Sequence, residues 1–389
     1  MQPQGSKVPR TFPLRGGSPR ALFPCFQPGN LGSGWEVTLL AAAALRPKTR
    51  RPTTAYKRVW VLLFLAWTVA YADRTITGPI VSWMIVNHVG FLASGYPYAL
   101  GGIVGSMFFA GYMLTQFPAG YLGDRYGRKA MIVISTLWAG LTTAASAAAV
   151  SVLGFVGLRV ATGLGEGAYY SNDRALVRLV TTERERALGM GVVFVGLATG
   201  LTLATIVTVP ILDGTASLWG ADAAWRVVFL LFAAPTVAVG VLFLRAVRVD
   251  DAPNAAASER RRLGTAASRL AGLSAVFLAI ILATYVLTEP LVVTGGSDLG
   301  FARILQAAAI LAVAFALLAI IYVRLGRVSA PVLKDRDLLL MYVSAIAILW
   351  TLWLFGFWSG QILTETASTA PAIGWTFAGA FGIANGIGY

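Results

Sequence analysis

The hydrophobic and polar positions of this chain fall into long blocks. They show neither the strict alternation of half-buried strands nor the three-and-four spacing of half-exposed helices. Nine complete apolar runs cover roughly residues 59–82, 97–121, 130–150, 152–173, 187–212, 225–247, 270–293, 304–325 and 338–363, and a tenth, 373–389, is cut off by the end of the sequence. A helix needs about 20 residues to cross about 30 Å of hydrocarbon, and each complete run is long enough. The pattern predicts an all-α membrane protein, a helical bundle of about ten hydrophobic segments.

The charges between the runs support membrane spans over buried core helices. Lys and Arg gather outside alternate runs: before the first, at Arg125, Arg128 and Lys129, in 174–186, in 245–269 and in 324–336. The intervening loops hold little beyond His88, Asp213, Asp222, Arg226, Asp298, Arg303 and Glu365. The positive-inside rule then puts the N-terminus in the cytoplasm and the protein in the plasma or inner membrane, spanning it many times.

Composition adds exclusions. With 57% hydrophobic and 12% charged residues, a mean hydropathy of +0.71 and one cysteine, the chain fits neither a soluble domain nor a disulfide or cysteine–metal scaffold. The net charge of +14 does not indicate nucleic acid, because residues 1–58 hold ten of the basic residues and only one acid, Glu36. That Pro-rich, basic stretch reads as a disordered cytoplasmic tail or a spurious N-terminal extension; the apolar stretch Val37–Leu45 is too short and too cation-flanked for a signal peptide. With one histidine and no nucleophile–base pairing, no enzyme activity, metal or cofactor is expected.

Ionisable residues inside the runs are the candidate chemistry. Asp73 and Arg74 lie in the first span, Arg159 and Glu166 in the fourth. Each costs roughly 2.5–3.5 kcal/mol at mid-membrane on insertion scales, so they should face one another or a wet cavity. Counting about 1.5 Å per residue from opposite membrane faces places Arg74 and Arg159 at a similar depth and Glu166 nearer the cytoplasm. Two cations at one level with carboxylates beside and below describe an anion site next to protonatable groups. Arg74 and Arg159 are the substrate-binding candidates, and Asp73 and Glu166 the proton-coupling ones. Trp67, Tyr71 and Tyr170 share faces with Arg74 or Glu166 and line either the cavity or the interface. The pairs Gly101/Gly105, Gly163/Gly167 and Gly196/Gly200 have the small-xxx-small spacing of close helix contacts.

Where the second run meets the cytoplasm stands Gly120-Tyr-Leu-Gly-Asp124-Arg125-Tyr-Gly127-Arg128-Lys129. Gly120 suits close helix approach, Asp124 can pair with an Arg or a helix end, Gly127 allows a tight turn, and the cations hold the loop inside. This string resembles the loop signature of the major facilitator superfamily between its second and third helices. Tyr71-Ala-Asp73-Arg74, Arg159 through Glu166-Gly167, Glu183-Arg-Glu-Arg-Ala187 and Ala224-Trp-Arg226 are further similar to its anion:cation symporter branch, over about 59–247. The resemblance implies a monomeric secondary transporter in the lipid bilayer that moves a small organic anion with protons by alternating access, with the signature loop serving conformational change.

Two departures qualify that expectation. Ala168 and Ser171 follow Glu166 where the branch carries prolines, and the runs 270–293 and 304–325 read as two extra helices or as the seventh and eighth of a twelve-helix order. The expected organisation is a six-helix N-terminal half at 59–247, a cytoplasmic loop at 248–269, two extra helices at 270–325 and an incomplete C-terminal half at 326–389. Extra helices also occur in drug exporters of the superfamily, so a drug or cation exporter is the alternative, and a non-transporting truncated fragment the third reading.

Overall fold

The computed structural model describes residues 56–92, 97–249, 259–294 and 299–366, and every described element is helical. The helices are α1 (Tyr56–Val86), α2 (Pro97–Tyr126), α3 (Arg128–Ser146), α4 (Val152–Val180), α5 (Arg186–Trp219), α6 (Ala221–Ala246), α7 (Glu259–Thr294), α8 (Leu299–Arg324), a short α9 (Gly326–Leu333) and α10 (Arg336–Thr366). Each of the nine complete apolar runs is a helix; the tenth, and the basic stretch 1–55, lie outside the described residues. A chain in lipid must satisfy its backbone N–H and C=O groups internally, and helices do so within one segment. Seven of the helices are long and apolar enough to cross a membrane on length and composition. α3, α4 and the short α9 fall outside that group; in α4, five charged residues and a run of glycines dilute the apolar character.

α4 is the central element, packed against α2 on one side and α3 on another, while α1 packs against α5 and α6. α7 and α8 pair with each other along α2, α3 and α4, and α10 lies on α1. Glycines set the closest approaches. A Cβ at Gly163 or Gly167 of α4 would collide with the Phe108 or Tyr112 carbonyl of α2, and one at Gly196 or Gly200 of α5 with the Phe64 or Thr68 carbonyl of α1. Without a hydrophobic drive between helices in lipid, such backbone contact is a main source of packing energy.

Side-chain bonds stitch each end of the bundle. At the end where α1, α3, α5 and α7 begin, Tyr56 donates to Glu185 at 2.8 Å, Trp60 to Thr181 at 2.9 Å and Lys129 to Glu259 at 2.6 Å. At the other end Trp83 donates to Asp213 at 2.8 Å, and Arg226 donates to the Ala147 and Ala149 carbonyls that close α3. Arg226, counted from the sequence among loop charges, is thus a helical residue that satisfies orphan carbonyls at another helix's C-terminus.

Candidate functional site

The glycines that let α2 approach α4 leave the polar face of α4 turned toward α1 and α3, and the buried charges converge there. Arg74 and Glu166 form an ion pair: Nε and Nη2 of Arg74 donate to Oε2 of Glu166 at 3.1 and 2.6 Å. The guanidinium is boxed by aromatic rings, with Tyr112 at 4.5 Å, Tyr71 at 4.7 Å, Phe108 at 5.1 Å and Trp353 at 5.5 Å from its central carbon. Such rings stabilise a desolvated cation through their quadrupoles. The second oxygen of Glu166, Oε1, has no hydrogen-bond partner.

Arg159 is held differently. It is fully buried, donates to Thr77 at 3.3 Å and Ser146 at 2.5 Å, and has Phe229 and Phe155 over its central carbon at 4.9 and 5.7 Å. Its Nε lacks a partner, and no carboxylate among the described residues forms an ion pair with it. Asp73, also fully buried, accepts from Thr143 through both oxygens, at 2.7 and 2.6 Å. Arg74, Ser135, Thr136 and Glu166 line a small cavity with Trp67, Ala70, Ala139, Tyr169 and Thr236, of about 10 Å³, enough for about one water.

The common depth expected for the two arginines needs correction. Arg74 reaches Glu166, whereas Arg159 reaches Thr77, one turn beyond Arg74 along α1, and Ser146 at the end of α3. The guanidiniums are therefore staggered, because a long Arg side chain carries its charge well away from its own Cα. Trp67 and Tyr71 are buried beside the site, and Tyr71 stacks on Trp353 of α10 at 5.7 Å. Tyr170 is 38% exposed and stands over Arg174.

Several site residues went unread in the sequence. Thr77, Thr143 and Ser146 hold the buried charges through hydroxyls that carry no charge signature of their own. Asp173 and Arg174 were the larger miss: α4 continues to Val180, so Arg174, counted with the cytoplasmic loop, lies in the helix. Their signal was present, since Arg159, Glu166 and Asp173 recur at intervals of seven on one helical stripe.

In the signature loop, Gly127 has a φ of +106° and precedes α3, a conformation glycine adopts without strain. Asp124 pairs with Arg128, which also donates to the Gly120 carbonyl and to Asn172, each at 3.3 Å. The closest approach to α4 is at Gly123, where a Cβ would collide with the Asn172 side chain, and not at Gly120, where Ser171 stands at ordinary contact distance. Lys129 is buried and bonded to Glu259, and Arg125 lies beside the Tyr126 ring. No group of three or more His, Cys, Asp or Glu that could hold a metal occurs among the described residues.

Comparison with known proteins places this architecture. The chain is 30% identical to a probable chloroplastic anion transporter of Arabidopsis thaliana over 36% of its own length and 25% of the relative's. It is 29% identical to a putative inorganic phosphate cotransporter of Drosophila ananassae over 52% and 46%, and 30% identical to the 4-hydroxybenzoate transporter PcaK of Pseudomonas aeruginosa over 39% and 33%. The matched stretch thus spans less than half the length of each of these relatives. The backbone is also similar to the xylose transporter XylE from Escherichia coli, with a TM-score of 0.46 and 14% identity over 86% of this chain and 88% of that one. Residues 63–389 match the Major Facilitator Superfamily, and this multi-pass membrane protein belongs to that family.

Proposed function

We propose that the chain carries a small organic anion across the cell membrane, coupled to protons, by alternating access. The observation that carries this reading is Arg159: a fully buried guanidinium held only by hydroxyls and aromatic faces, with a nitrogen unpartnered and no carboxylate paired to it. A buried cation that touches no carboxylate directly is costly, and an arriving carboxylate relieves that cost through charge-assisted, two-point hydrogen bonds. A cationic drug would meet repulsion at the same place. The relatives named above for phosphate, 4-hydroxybenzoate and anion transport support an anionic cargo. The rings of Tyr71, Phe108, Tyr112 and Trp353 around Arg74 favour a carboxylate with an apolar body over bare phosphate.

Proton coupling follows from competition at Arg74. Its guanidinium engages Oε2 of Glu166, so an anion that draws Arg74 away leaves both Glu166 oxygens unbonded in a nearly dry cavity. A carboxylate stripped of its cation in such surroundings takes up a proton. Asp73, which accepts from the Thr143 hydroxyl, is the second proton carrier.

For alternating access, α1–α6 form one half and α10 opens the second. Supporting this division, α10 supplies the contact with α1, whereas α7 and α8 pair with each other along α2–α4 as an added hairpin. Phe357 of α10 abuts Gly78 and Gly105, and Trp358 abuts Gly101, beyond the Arg74 level on the side away from the signature loop. These aromatics serve as the outer closure. The deciding experiment is counterflow of radiolabelled 4-hydroxybenzoate and of phosphate in proteoliposomes, with and without a proton gradient. Saturable, gradient-driven accumulation of the aromatic acid is expected, and transport of organic cations alone would sink the proposal.

A further inference from the structure

The stripe on α4 carries a third charged position below the two already assigned. Successive members of the series Arg159, Glu166 and Asp173 lie seven residues apart, about 10 Å along the helix. Asp173 is fully buried, accepts from Trp67 Nε1 at 2.6 Å and from the backbone N–H of Arg174 at 2.6 Å, and takes both of its hydrogen bonds from the Arg174 guanidinium through Nη1, at 2.9 Å. Arg174 Nη2 is buried and has no partner. The guanidinium sits between three aromatic rings, Tyr170 at 3.8 Å, Phe194 at 4.7 Å and Trp67 at 5.5 Å. Tyr170 is the most exposed of the three rings.

We infer that Arg174 is a second anion-binding station, on the cytoplasmic side of the Arg74–Glu166 pair, which takes the substrate carboxylate as it enters or leaves there. This rests on the proposed transport of an organic anion. Two features distinguish the arrangement from a structural ion pair. Nη2 is already desolvated and unused, so an anion oxygen bonding to it displaces no protein partner. Asp173 would not be orphaned if the guanidinium swung to an anion, because Trp67 and the Arg174 backbone N–H still satisfy it. The pair behaves as a sheathed cation, with Asp173 the resident competitor for the substrate carboxylate. The aromatic sandwich fits a carboxylate attached to a flat apolar body, the same chemistry that surrounds Arg74.

The test measures 4-hydroxybenzoate exchange in inside-out and right-side-out membrane vesicles bearing the full chain, which reads half-saturation at each face separately. Arg174→Gln should raise the half-saturating concentration at the cytoplasmic face about tenfold, the worth of one hydrogen bond to a charged group, and change the outer face by less than about twofold. Asp173→Asn keeps the acceptor for Trp67 but removes the competing charge, so cytoplasmic half-saturation should fall. A pair that merely braces the fold would lose ground in both variants and at both faces alike. Equal effects on the two faces, no effect of Arg174→Gln, or weakened cytoplasmic binding in Asp173→Asn would each overturn the inference. Where Arg174→Gln does not reach the membrane, the sign of the Asp173→Asn change decides alone. Absence of saturable exchange in the unsubstituted protein overturns this inference together with the transport reading, whereas saturable exchange indifferent to Arg174 overturns this inference only.

Discussion

At the scale of single residues, the two buried arginines are not equivalent. Arg74 forms an ion pair with Glu166 whereas Arg159 donates to hydroxyls, so substitutions at Glu166 and Arg159 should separate coupling from binding. Glu166→Gln retains a hydrogen-bond acceptor for Arg74 but cannot take up a proton; gradient-driven accumulation should vanish while counterflow exchange survives. Arg159→Lys keeps the charge but loses the planar fork, and half-saturation should rise about ten- to a hundredfold, the equivalent of one or two charge-assisted hydrogen bonds. Loss of exchange together with accumulation in Glu166→Gln would assign that residue to binding. The four charges were legible from the cost of placing them in lipid. Which charge meets which was not legible. That depends on side-chain reach and on Thr77, Thr143 and Ser146, whose hydroxyls look in sequence like ordinary polar substitutions in an apolar helix.

At the scale of elements, glycine spacing told where helices touch but not which partner they touch. Gly163 and Gly167 meet α2, Gly196 and Gly200 meet α1, Gly105 meets Phe357 of α10, and Gly101 meets Val81 of α1 first and Trp358 of α10 second. A side chain at Gly163 must drive apart two backbones, whereas Gly102, one turn along the same helix as Gly105, has open space where a Cβ would go. Gly163→Leu should therefore lower the melting temperature in detergent sharply or abolish expression, an overpacking cost of about 1–3 kcal/mol or more, and Gly102→Ala should leave it unchanged. Comparable melting of the two variants would contradict the packing account. The signature loop is a second element-scale device: Asp124 holds Arg128, which in turn reaches the Gly120 carbonyl on α2 and Asn172 on α4. Asp124→Asn removes the charge that positions Arg128, and should slow turnover several-fold while half-saturation stays near normal, since this cluster lies at the helix ends away from Arg159. A large loss of affinity at unchanged rate would place the loop in the site. Helix ends were the least legible feature, because apolar runs stop at the first charges while hydrogen-bonded helix continues through them. So α4 runs seven residues beyond its apolar stretch, and α7 begins at Glu259, eleven residues before its own.

At the scale of the whole molecule, orientation is decided by where cations collect once the helices are assembled. Lys129 and Glu259 meet across α3 and α7, and Tyr56 and Glu185 across α1 and α5, which gathers the starts of four helices at one end of the bundle. That end also carries Arg125, Arg128, Arg178, Arg184, Arg260, Arg261 and Arg262. The opposite end, marked by the Trp83–Asp213 bond, has Arg226 turned inward on the Ala147 and Ala149 carbonyls, so little positive charge remains there to resist translocation. Short loops rich in Lys and Arg stay in the cytoplasm, and from the asymmetry between the two ends we propose that the α1, α3, α5 and α7 starts are cytoplasmic. Ser217 and Glu183 are both exposed, one in the last turn of α5 and the other just before its start, so they report opposite faces with similar access. With Cys25 first replaced by Ser, a single cysteine at Ser217→Cys should react with a membrane-impermeant maleimide in intact cells. One at Glu183→Cys should react only after permeabilisation. Labelling of Glu183→Cys in intact cells would invert the assigned orientation, and with it the side from which Arg174 meets the substrate.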